Sequence, residues 1–559
     1  MPAKTVCVVG AGTAGIAALK ECVRQGFKTT CYELDSDVGG IWRKKDYSKP
    51  TNTPAVYDGL VTNSSKFNMC YSDYPPSPED TPYLSAENMG QYFKRAVQHF
   101  GLEKFIHFNT RVIKIRKTSD HEKTGRWEVF TANRGDGIAG SDLAGPRGDD
   151  QSLSRCKREV FDFVLVCTGY FKIPFYPDVP GMDTFKGTIQ HSFSYHSSKP
   201  YDGKTVLVVG NMFSALDIAN DISTISKQTY LAVGKGTWII PRCFSNNRTL
   251  DLLFPRSVIY GDGWLMNLNN ILIREAENRM DHEGIGIRPS KPPLLASWGI
   301  NDELPGKLVV GKVKVYGRLT RIEGSQVQFD DGKIISGIED IVFCTGYRPD
   351  LSFIDLDLIA DNGRMELYKM MFPVHEKHNT LALIGHFGSD GPLPICFEIQ
   401  ARWAARVLAG KQKLPSMKKM KKDVARLNDE TYLRRGAFDS YMVNAVRLMD
   451  SIAVEIGCYP SFWRILIKDP LLAYRIYYGP PYSAQYRLLG PDSQWAEAAK
   501  SCHALYEEGF KSIRYREPKA LQRPDVYEAY KSRAVRTFIL STVAAVSSWL
   551  LYTFGSQIF

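Results

Sequence analysis

Three glycines, Gly10, Gly12 and Gly15, have the spacing G-x-G-x-x-G and directly follow an apolar run at residues 6–9. In such a turn the first glycine permits a tight bend, the second lets the backbone approach a pyrophosphate, and the third allows the helix to pack closely on the strand. The phosphates then lie at the helix N-terminus, where unpaired N–H groups favour negative charge. Glu33 follows at about the 20-residue distance at which an acid accepts a hydrogen bond from a ribose hydroxyl. The pattern predicts a dinucleotide site contacted by Gly10, Ala11, Gly12, Thr13, Ala14, Gly15 and Glu33; the alternative is a glycine-rich turn beside an unrelated surface glutamate.

A pair of glycines and an indole follow Glu33 in the run Val38-Gly39-Gly40-Ile41-Trp42. Paired glycines let the backbone come close to a ligand, and the indole of Trp42 has the shape to pack on a flat ring. Taken alone, the run is a turn with a core tryptophan. Together with Glu33, the residues Gly40, Ile41 and Trp42 are typical of an FAD site.

A second strand and turn of the same kind occupy residues 205–215, but here the glycine pattern is irregular. The apolar run ends at Gly210, and the turn continues Asn211-Met212-Phe213-Ser214-Ala215. Met212 stands where the second glycine would let the backbone meet a pyrophosphate. We predict a second dinucleotide site at Gly210, Ser214, Ala215 and Asp217, with Lys235 after the next strand.

The elements around these turns indicate an α/β fold. Each turn lies within a strand–turn–helix–strand pattern, with strands at 6–9, 28–32, 205–209 and 229–233 and helical spacing of apolar residues between them. Two more apolar runs, at 164–170 and 341–347, both end in Thr-Gly-Tyr. The pattern predicts two doubly wound, Rossmann-like domains, with the paired Thr-Gly turns at a crossover between them.

A longer motif lies between the two nucleotide turns. Phe185, Gly187, His191 and Tyr195 occupy the four fixed positions of F-x-G-x-x-x-H-x-x-x-Y. Further matching runs are Asn63-Ser64-Ser65-Lys66, Met69-Cys70-Tyr71-Ser72-Asp73-Tyr74-Pro75, Asp281-His282-Glu283, Asn301-Asp302-Glu303-Leu304-Pro305 and Gln400-Ala401-Arg402-Trp403. On these residues the chain resembles, nearly end to end, the flavin-containing monooxygenase family, the membrane-associated N- and S-oxygenating enzymes of animals.

The resemblance implies FAD and NADPH as cofactors and O₂ as a substrate. In that family reduced FAD reacts with O₂ to a C4a-hydroperoxyflavin, and a small nucleophile, typically an amine nitrogen or a sulfur, takes the distal oxygen. The flavin carries the chemistry, while the protein supplies binding, orientation and a dry site. The resemblance makes Asn63 the catalytic candidate beside flavin and nicotinamide, with Thr62 and Ser64 flanking it; an Asx-turn residue is the alternative. It adds His191, Tyr195 and Gln400 to the cofactor-binding candidates, although a buried histidine is most often a core residue.

The chain departs from the family in its second nucleotide site. Met212 and Phe213 replace a glycine and an asparagine, and Gly234-Lys235 replaces a pair of arginines suited to the 2′-phosphate of NADP. Lys235 offers a point charge but no bidentate fork. Our hypothesis is weaker NADPH binding than in relatives and reduced discrimination against NADH.

Charge and composition narrow the partners. The 559-residue chain carries a formal net charge of +11, which suits phosphate-bearing cofactors or anionic lipid. Its richest basic stretch, with Lys418, Lys419, Lys421 and Lys422, is either a solvated helix face or a lipid contact. No aromatic-plus-basic module indicates nucleic acid. The eleven cysteines form no C-x-x-C, so we expect no metal site and no redox-active dithiol.

The C-terminal tail differs in composition from the rest. Residues 537–559 carry no charged side chain and are preceded by Lys531, Arg533 and Arg536. Their length matches the roughly 20 residues that cross a bilayer, and the preceding cations predict a cytoplasmic upstream side. We expect a spanning or monotopic helical anchor in the endoplasmic reticulum membrane, with the catalytic part facing the cytoplasm; a helix buried against the protein is the alternative. Homo-oligomerisation stays open.

The expected domains are therefore an FAD-binding domain in two parts, 1–170 and 341–450, an inserted NADP-binding domain at 171–340, a mostly helical region at 451–536, and the anchor at 537–559. Three other functions remain open. A Baeyer–Villiger monooxygenase typically ends the central motif in Trp followed by Pro or Asp, whereas Tyr195 is followed by His196. The other two follow from the altered second nucleotide site. If that site is damaged, the protein could be an NADPH oxidase that releases H₂O₂, or an FAD-binding protein without turnover.

Overall fold

The structure is a computed structural model that describes residues 3–43, 54, 56–133, 153–244, 248–360, 364–435, 442–508, 511–513, 537 and 540–542. The chain divides into two compact units, Met1–Gly509 and Phe510–Phe559. In chain order, strands β1 to β26 of the described residues are Thr5–Val9, Lys28–Tyr32, Ile106–His107, Thr110–Lys117, Trp127–Asn133, Lys157–Phe161, Phe163–Val166, Ile173–Pro174, Thr188–His191, Thr205–Val209, Gln228–Ala232, Trp238–Ile240, Cys243–Phe244, Arg248–Thr249, Trp298–Ile300, Val313–Tyr316, Leu319–Glu323, Gln326–Phe329, Ile334–Ile335, Asp340–Phe343, Tyr347–Arg348, Leu367–Tyr368, Phe372–Pro373, Leu381–Leu383, Gly388–Asp390 and Met442–Asn444.

Helices alternate with the strands in the first two thirds of the chain and dominate after residue 393. Helices α1 to α13 of the described residues are Thr13–Arg24, Ala86–His99, His121–Thr124, Phe213–Ile222, Arg256–Ile259, Trp264–Glu277, Leu304–Val309, Leu393–Leu408, Met417–Arg435, Ala445–Ile456, Phe462–Leu466, Pro470–Tyr478 and Trp495–Glu508. Residues 451–508 are mostly helical, while most of the rest of the predicted helical region, to residue 536, lies outside the described residues. The predicted α/β class with Rossmann-like sheets is confirmed.

The first glycine turn belongs to a parallel sheet with the strand order β24-β7-β1-β2-β3. Strand β1 is central and buried, and helix α1 leaves its carboxyl end at Gly12. The apolar residues of α1 pack into the main core, which continues into helix α8. Burial on both sides explains why β1 reads as a continuous apolar run.

The second turn belongs to another parallel sheet, with the order β16-β11-β10-β20-β9. Here β10 takes the place that β1 has in the first sheet, and α4 follows it. Strand β11 begins and ends one residue earlier than the sequence predicts, at Gln228–Ala232. Val233 directly follows the strand, and its N–H still donates to the carbonyl of Tyr316 at 3.0 Å.

The paired Thr-Gly turns lie at equivalent places in the two sheets. Strand β7 pairs with β1 and ends before Thr168-Gly169, while β20 pairs with β10 and ends before Thr345-Gly346. The segments that follow, β8 and β21, pair with each other in antiparallel fashion. The two sheets are therefore joined by two adjacent connections.

The predicted membrane anchor falls largely outside the described residues. Of residues 537–559, only Thr537, Leu540, Ser541 and Thr542 are described, all of them helical. Among the residues that the structure describes, no helix combines the length and apolar character needed to cross a membrane. All eleven cysteines are described, and none forms a disulfide.

Candidate cofactor and active site

A cavity of about 1370 Å³ lies at the carboxyl ends of the central strands of both sheets. Ligands of open parallel sheets bind at this edge. The volume exceeds the roughly 300–1,000 Å³ of a site for one drug-sized ligand, so the cavity has room for an extended cofactor and a second molecule. Of the sequence-predicted site residues, its lining includes Gly10, Gly12, Thr13, Ala14, Glu33, Gly40, Ile41, Trp42, Asn63, Ser64, Gly210 and Ser214.

The first glycine turn has the shape that a pyrophosphate requires. A methyl group at Gly15 would lie 1.8 Å from the carbonyl oxygen of Gly10, so close packing excludes a side chain there. At Gly12 the same methyl group would meet only the backbone of Gly40, with the Cα at 3.5 Å and the N at 3.9 Å, both ordinary contacts. The protein itself thus leaves space at Gly12, and that space opens onto the cavity. The space that the protein leaves beside the start of α1 fits a dinucleotide phosphate.

Glu33 lies at the end of β2 and is held by two backbone donors. Its Oε2 accepts from the N–H of Ala11 at 2.5 Å, and its Oε1 accepts from the N–H of Asp35 at 2.8 Å. Burial raises the pKa of this carboxyl, although both backbone bonds oppose the rise. The carboxylate is therefore fixed in orientation at the cavity wall, where an acid that reads a ribose belongs.

Gly40, Ile41 and Trp42 form a short 3₁₀ turn against the first glycine turn. Gly40 has a φ of 60°, in the left-handed region that favours glycine, and its Cβ would come within 3.0 Å of the Cα of Gly12. The two turns thus approach each other closely because neither carries a side chain at the contact.

Asn63 reaches the cavity from the loop between β2 and α2. Its neighbour Thr62 is buried, donates through Oγ1 to the carbonyl of Ser64 at 3.0 Å, and accepts from the N–H of Leu84 at 3.0 Å. Asn63 Oδ1 accepts from Nη2 of Arg242 at 3.2 Å. The carboxamide therefore has an anchored oxygen and lies in the wall shared by both nucleotide turns.

The second turn accommodates the residues that replace its glycines. Met212 has φ −125° and ψ −169°, an extended conformation open to any residue. The ring of Phe213 packs edge-on against Trp298 at 5.3 Å between ring centroids. Met212, Phe213 and Ser214 all line the cavity, whereas Ala215 is buried behind them.

The other sequence-predicted residues lie outside the cavity lining, namely Ala11, Gly15, Thr62, His191, Tyr195, Ala215, Asp217, Lys235 and Gln400. Asp217 is bonded to the hydroxyl of Tyr57 at 2.7 Å and to Nδ2 of Asn301 at 2.8 Å. Lys235 is exposed. Gln400 accepts from the N–H of Gly385 at 3.1 Å and donates to the carbonyl of Lys369 at 3.2 Å.

The central motif lies beside the connections between the sheets. His191 ends β9, its ring is 5.0 Å from that of Tyr347 between centroids, and its Nδ1 accepts from the N–H of Phe193 at 3.1 Å. Burial lowers the pKa of His191 to about 4, so it is neutral near pH 7. The hydroxyl of Tyr195 donates to Asp221 at 2.5 Å.

Sequence reasoning missed several residues at the site. The Thr-Gly turns at 168–169 and 345–346 line the cavity, and their repeated pattern at two strand ends was the available signal. Asn68 and Asp251 also line it, while Arg242 contacts Asn63 from outside. No sequence signal marks these three, because their roles arise from contacts far apart in the chain.

Two adjacent Rossmann-like sheets share one large cavity, which is the arrangement of a protein that binds two dinucleotides. A family model described as flavin-binding monooxygenase-like matches residues 3–547. The chain belongs to this family. It is a flavin-dependent monooxygenase, with FAD and NADPH as its cofactors.

Curated relatives cover most of the chain. It is 35% identical over 514 residues to dimethylaniline monooxygenase [N-oxide-forming] 2 of Mus musculus, covering 89% of this chain and 90% of the relative. It is 34% identical over 529 residues to flavin-containing monooxygenase 2 of Homo sapiens, covering 92% and 94%.

Two solved structures share the fold at low sequence identity. S-allyl-L-cysteine S-oxygenase from Allium sativum aligns with a TM-score of 0.59 at 21% identity, covering 90% of this chain and 99% of that one. Cyclohexanone monooxygenase from Rhodococcus sp. Phi1 bound to NADP⁺ aligns with a TM-score of 0.57 at 14% identity, covering 84% and 98%.

Proposed function

We propose that this protein uses FAD, NADPH and O₂ to oxygenate a nucleophilic nitrogen or sulfur in small molecules. The observation that carries the proposal is that the first glycine turn, Asn63 and the second glycine turn all open onto one cavity. FAD bound at the first turn and a nicotinamide bound at the second would then meet beside Asn63. The names of the mouse relative and the garlic structural neighbour support nitrogen and sulfur, respectively, as the atoms oxygenated.

We place the substrate against the apolar part of the cavity lining. Leu250, Phe254, Pro392, Phe397, Val446 and Pro481 belong to that lining. Such a wall favours a substrate with a hydrophobic body and excludes water from the reacting atoms. In this proposal Asn63 is the catalytic side chain, because its neutral carboxamide can hydrogen-bond to the cofactors without exchanging a proton.

The remaining site residues have supporting roles in the proposal. Gly10, Ala11, Gly12, Thr13, Ala14, Gly15, Glu33, Gly40, Ile41, Trp42, Thr62 and Ser64 form the FAD side, while Gly210, Ser214, Ala215, Asp217 and Lys235 form the NADP side. His191 and Tyr195 support the connections between the FAD side and the NADP side. For Gln400 we propose an indirect role, because its amide is occupied by backbone groups.

We assign residues 1–170 and 341–450 to the FAD domain and 171–340 to the inserted NADP domain. The strand order supports this assignment, since β24 joins β7 and β1 in the first sheet while β9, β10, β11, β16 and β20 form the second. The helical region is then residues 451–508, and most of the rest of the predicted range, to residue 536, lies outside the described residues.

The proposed location is the endoplasmic reticulum membrane, with the catalytic part on the cytoplasmic side and residues 537–559 as the anchor. An exposed apolar face on α11 and α12 supports a lipid contact. Trp463 is 62% exposed and Ile467 87%, and Leu471, Tyr474 and Tyr478 are exposed beside them. Large exposed aromatic and aliphatic side chains are typical of membrane contact. Fractionation of cells expressing the full chain tests this: release of the protein by high salt alone would contradict an apolar anchor.

The activity is tested with the detergent-solubilised holoenzyme. NADPH consumption, oxygenated product and H₂O₂ are measured together with a thioether, a tertiary amine and a ketone. We expect sulfoxide and N-oxide to account for most of the NADPH consumed. H₂O₂ equal to the NADPH consumed would favour the oxidase, ester from the ketone a Baeyer–Villiger enzyme, and no flavin reduction a protein without turnover.

A further inference from the structure

A small hairpin within residues 171–340 is hydrogen-bonded, through the residues that flank it, to the loop that carries Asn63. Strands β13 and β14 form this hairpin, with Arg242 directly before it and Asp251 just after it. Arg242 donates through Nε to the carbonyl of Thr62 at 3.3 Å and through Nη2 to Asn63 Oδ1 at 3.2 Å. Asp251 Oδ2 accepts from the N–H of Ser65 at 2.8 Å and from Nδ2 of Asn68 at 3.1 Å. The loop at residues 62–68 is therefore held at both ends.

Arg242 is itself held rigidly. Its N–H donates to Asp302 Oδ1 at 3.0 Å, and its Nη1 donates to Asp302 Oδ2 at 2.9 Å. Its carbonyl accepts from the hydroxyl of Tyr83 at 2.6 Å. The side chain is only 15% exposed and is not part of the cavity lining. All three nitrogens of the guanidinium donate to protein groups. The arginine therefore lies behind Asn63 rather than in the cavity wall.

The chemistry of the two groups decides how the carboxamide is turned. A guanidinium has five donors and no acceptor, so only the oxygen of Asn63 can face it. The NH₂ group must then point the opposite way, and it has no hydrogen-bond partner among the described residues. Without the arginine, the carboxamide could rotate by 180° with little change in shape.

We infer that Arg242 is a positioning residue that turns Asn63 so that its NH₂ faces the cavity as a hydrogen-bond donor. This inference rests on the proposed function, in which Asn63 lies beside the cofactors. Asp302 neutralises the arginine and fixes its direction. The planar guanidinium of Arg242 donates to Thr62 and Asn63 at the same time. A lysine at this position would lose one of these two hydrogen bonds.

A double-mutant cycle tests the inference on the detergent-solubilised, FAD-loaded enzyme. The variants are Arg242→Met, Asn63→Ala and the two combined, with Arg288→Met as the matched control because it removes an exposed arginine–carboxylate pair from the same domain. The first readout is product formed per NADPH consumed with a neutral thioether. The second is the visible spectrum of the bound oxidised flavin, which requires no turnover.

We expect Arg242→Met to lower product per NADPH by about tenfold, the size of one charged hydrogen bond, and to shift the flavin bands in the same direction as Asn63→Ala. The double variant should be no worse than Asn63→Ala alone, because the arginine acts through the asparagine. Arg242→Lys should be intermediate, and Arg288→Met should match the unmodified protein.

The inference would be overturned if product per NADPH in the double variant fell by the product of the two single-variant factors. It would also be overturned if Arg242→Met changed neither the flavin spectrum nor product per NADPH. If Arg242→Met fails to retain FAD, Asp302→Asn is used instead, since it loosens the arginine without removing it. A wild-type enzyme that makes no product would contradict the proposed function. In that case the spectral cycle alone still decides whether Arg242 acts through Asn63.

Discussion

Met212 and Gly12 occupy the same place in two turns, each at the start of the helix that follows a buried central strand. Their ψ angles are −169° and −171°, and both φ angles are negative. The turn at Met212 thus forms without backbone strain. The difference between the two sites is the side chain itself, which lines the cavity where a pyrophosphate would approach.

Replacing Met212 by glycine should strengthen NADP⁺ binding. The change removes a side chain from the phosphate approach and leaves φ and ψ accessible, so we expect the dissociation constant to fall about three- to tenfold, or roughly 1 kcal/mol. Titration of the oxidised holoenzyme with NADP⁺, followed by the flavin spectrum, measures it. An unchanged or weaker affinity would show that the loop already clears the phosphates, and a low-micromolar KM for NADPH in the unmodified enzyme would agree with that.

The preference for NADPH over NADH should depend on Lys235 and should be small in the unmodified enzyme. Gly234 has a φ of 56°, so an arginine there would be strained, and Lys235 is left as the cation after β11. Lys235→Arg should raise the preference for NADPH over NADH several-fold, because a guanidinium fork suits a phosphate. Lys235→Ala should remove most of any preference. Steady-state kinetics with both nucleotides provide the measurement; a strong preference that survives Lys235→Ala would assign the 2′-phosphate to another residue.

Removing the carboxamide of Asn63 should divert the reaction toward H₂O₂. Asn63→Ala should lower product per NADPH by about 10²-fold, the effect of losing one preorganised donor at a reacting group, while FAD content stays normal. Asn63→Asp should be equally uncoupled, because a carboxylate would pair with Arg242 but cannot donate. The measurement is H₂O₂ against NADPH consumed, and a coupled Asn63→Asp enzyme would refute the donor role.

The sequence predicts the parts of this site that are local in the chain. The turns at Gly10 and Gly210, the strands on either side of them and Glu33 all depend on residues within about 30 positions, so their pattern is sufficient. Arg242 and Asp251 could not be found this way, because they act on residues 62–68 through contacts formed only by folding. Gln400 shows the converse limit: the matched motif marks it as a cofactor-binding residue, yet its amide bonds to the backbone of two separate segments, at Lys369 and at Gly385.

A buried ionic cluster joins the first sheet to the helical region, and its loss should destabilise the protein. Arg487 contacts Glu21 at 2.9 Å, Asp73 at 3.1 Å and Glu398 at 3.3 Å, and Lys20 contacts both Asp73 and Glu398 at 2.5 Å. Arg487→Met would leave three buried carboxylates with only Lys20 and Arg24 as cations, and the unbalanced buried charge should cost about 3–5 kcal/mol. Urea unfolding followed by flavin release tests this, with the exposed Arg288→Met expected within about 1 kcal/mol of the unmodified protein.

The same cluster should make the protein sensitive to acid. Although burial raises the pKa of Glu21, the cations Lys20, Arg487 and Arg24 together lower it to about 2, from 4.5 as a free group. Asp73 is lowered in the same sense. A carboxyl with a depressed pKa contributes stability that is complete above the free-group value and is lost as the pH falls toward the folded value. The free energy of unfolding should therefore decline between about pH 4.5 and pH 2. In Arg487→Met the folded pKa values of these carboxyls should move back toward the free-group values, so the loss of stability over this pH range should be smaller. A profile unchanged by the substitution would show that the arginine does not hold these carboxylates ionised.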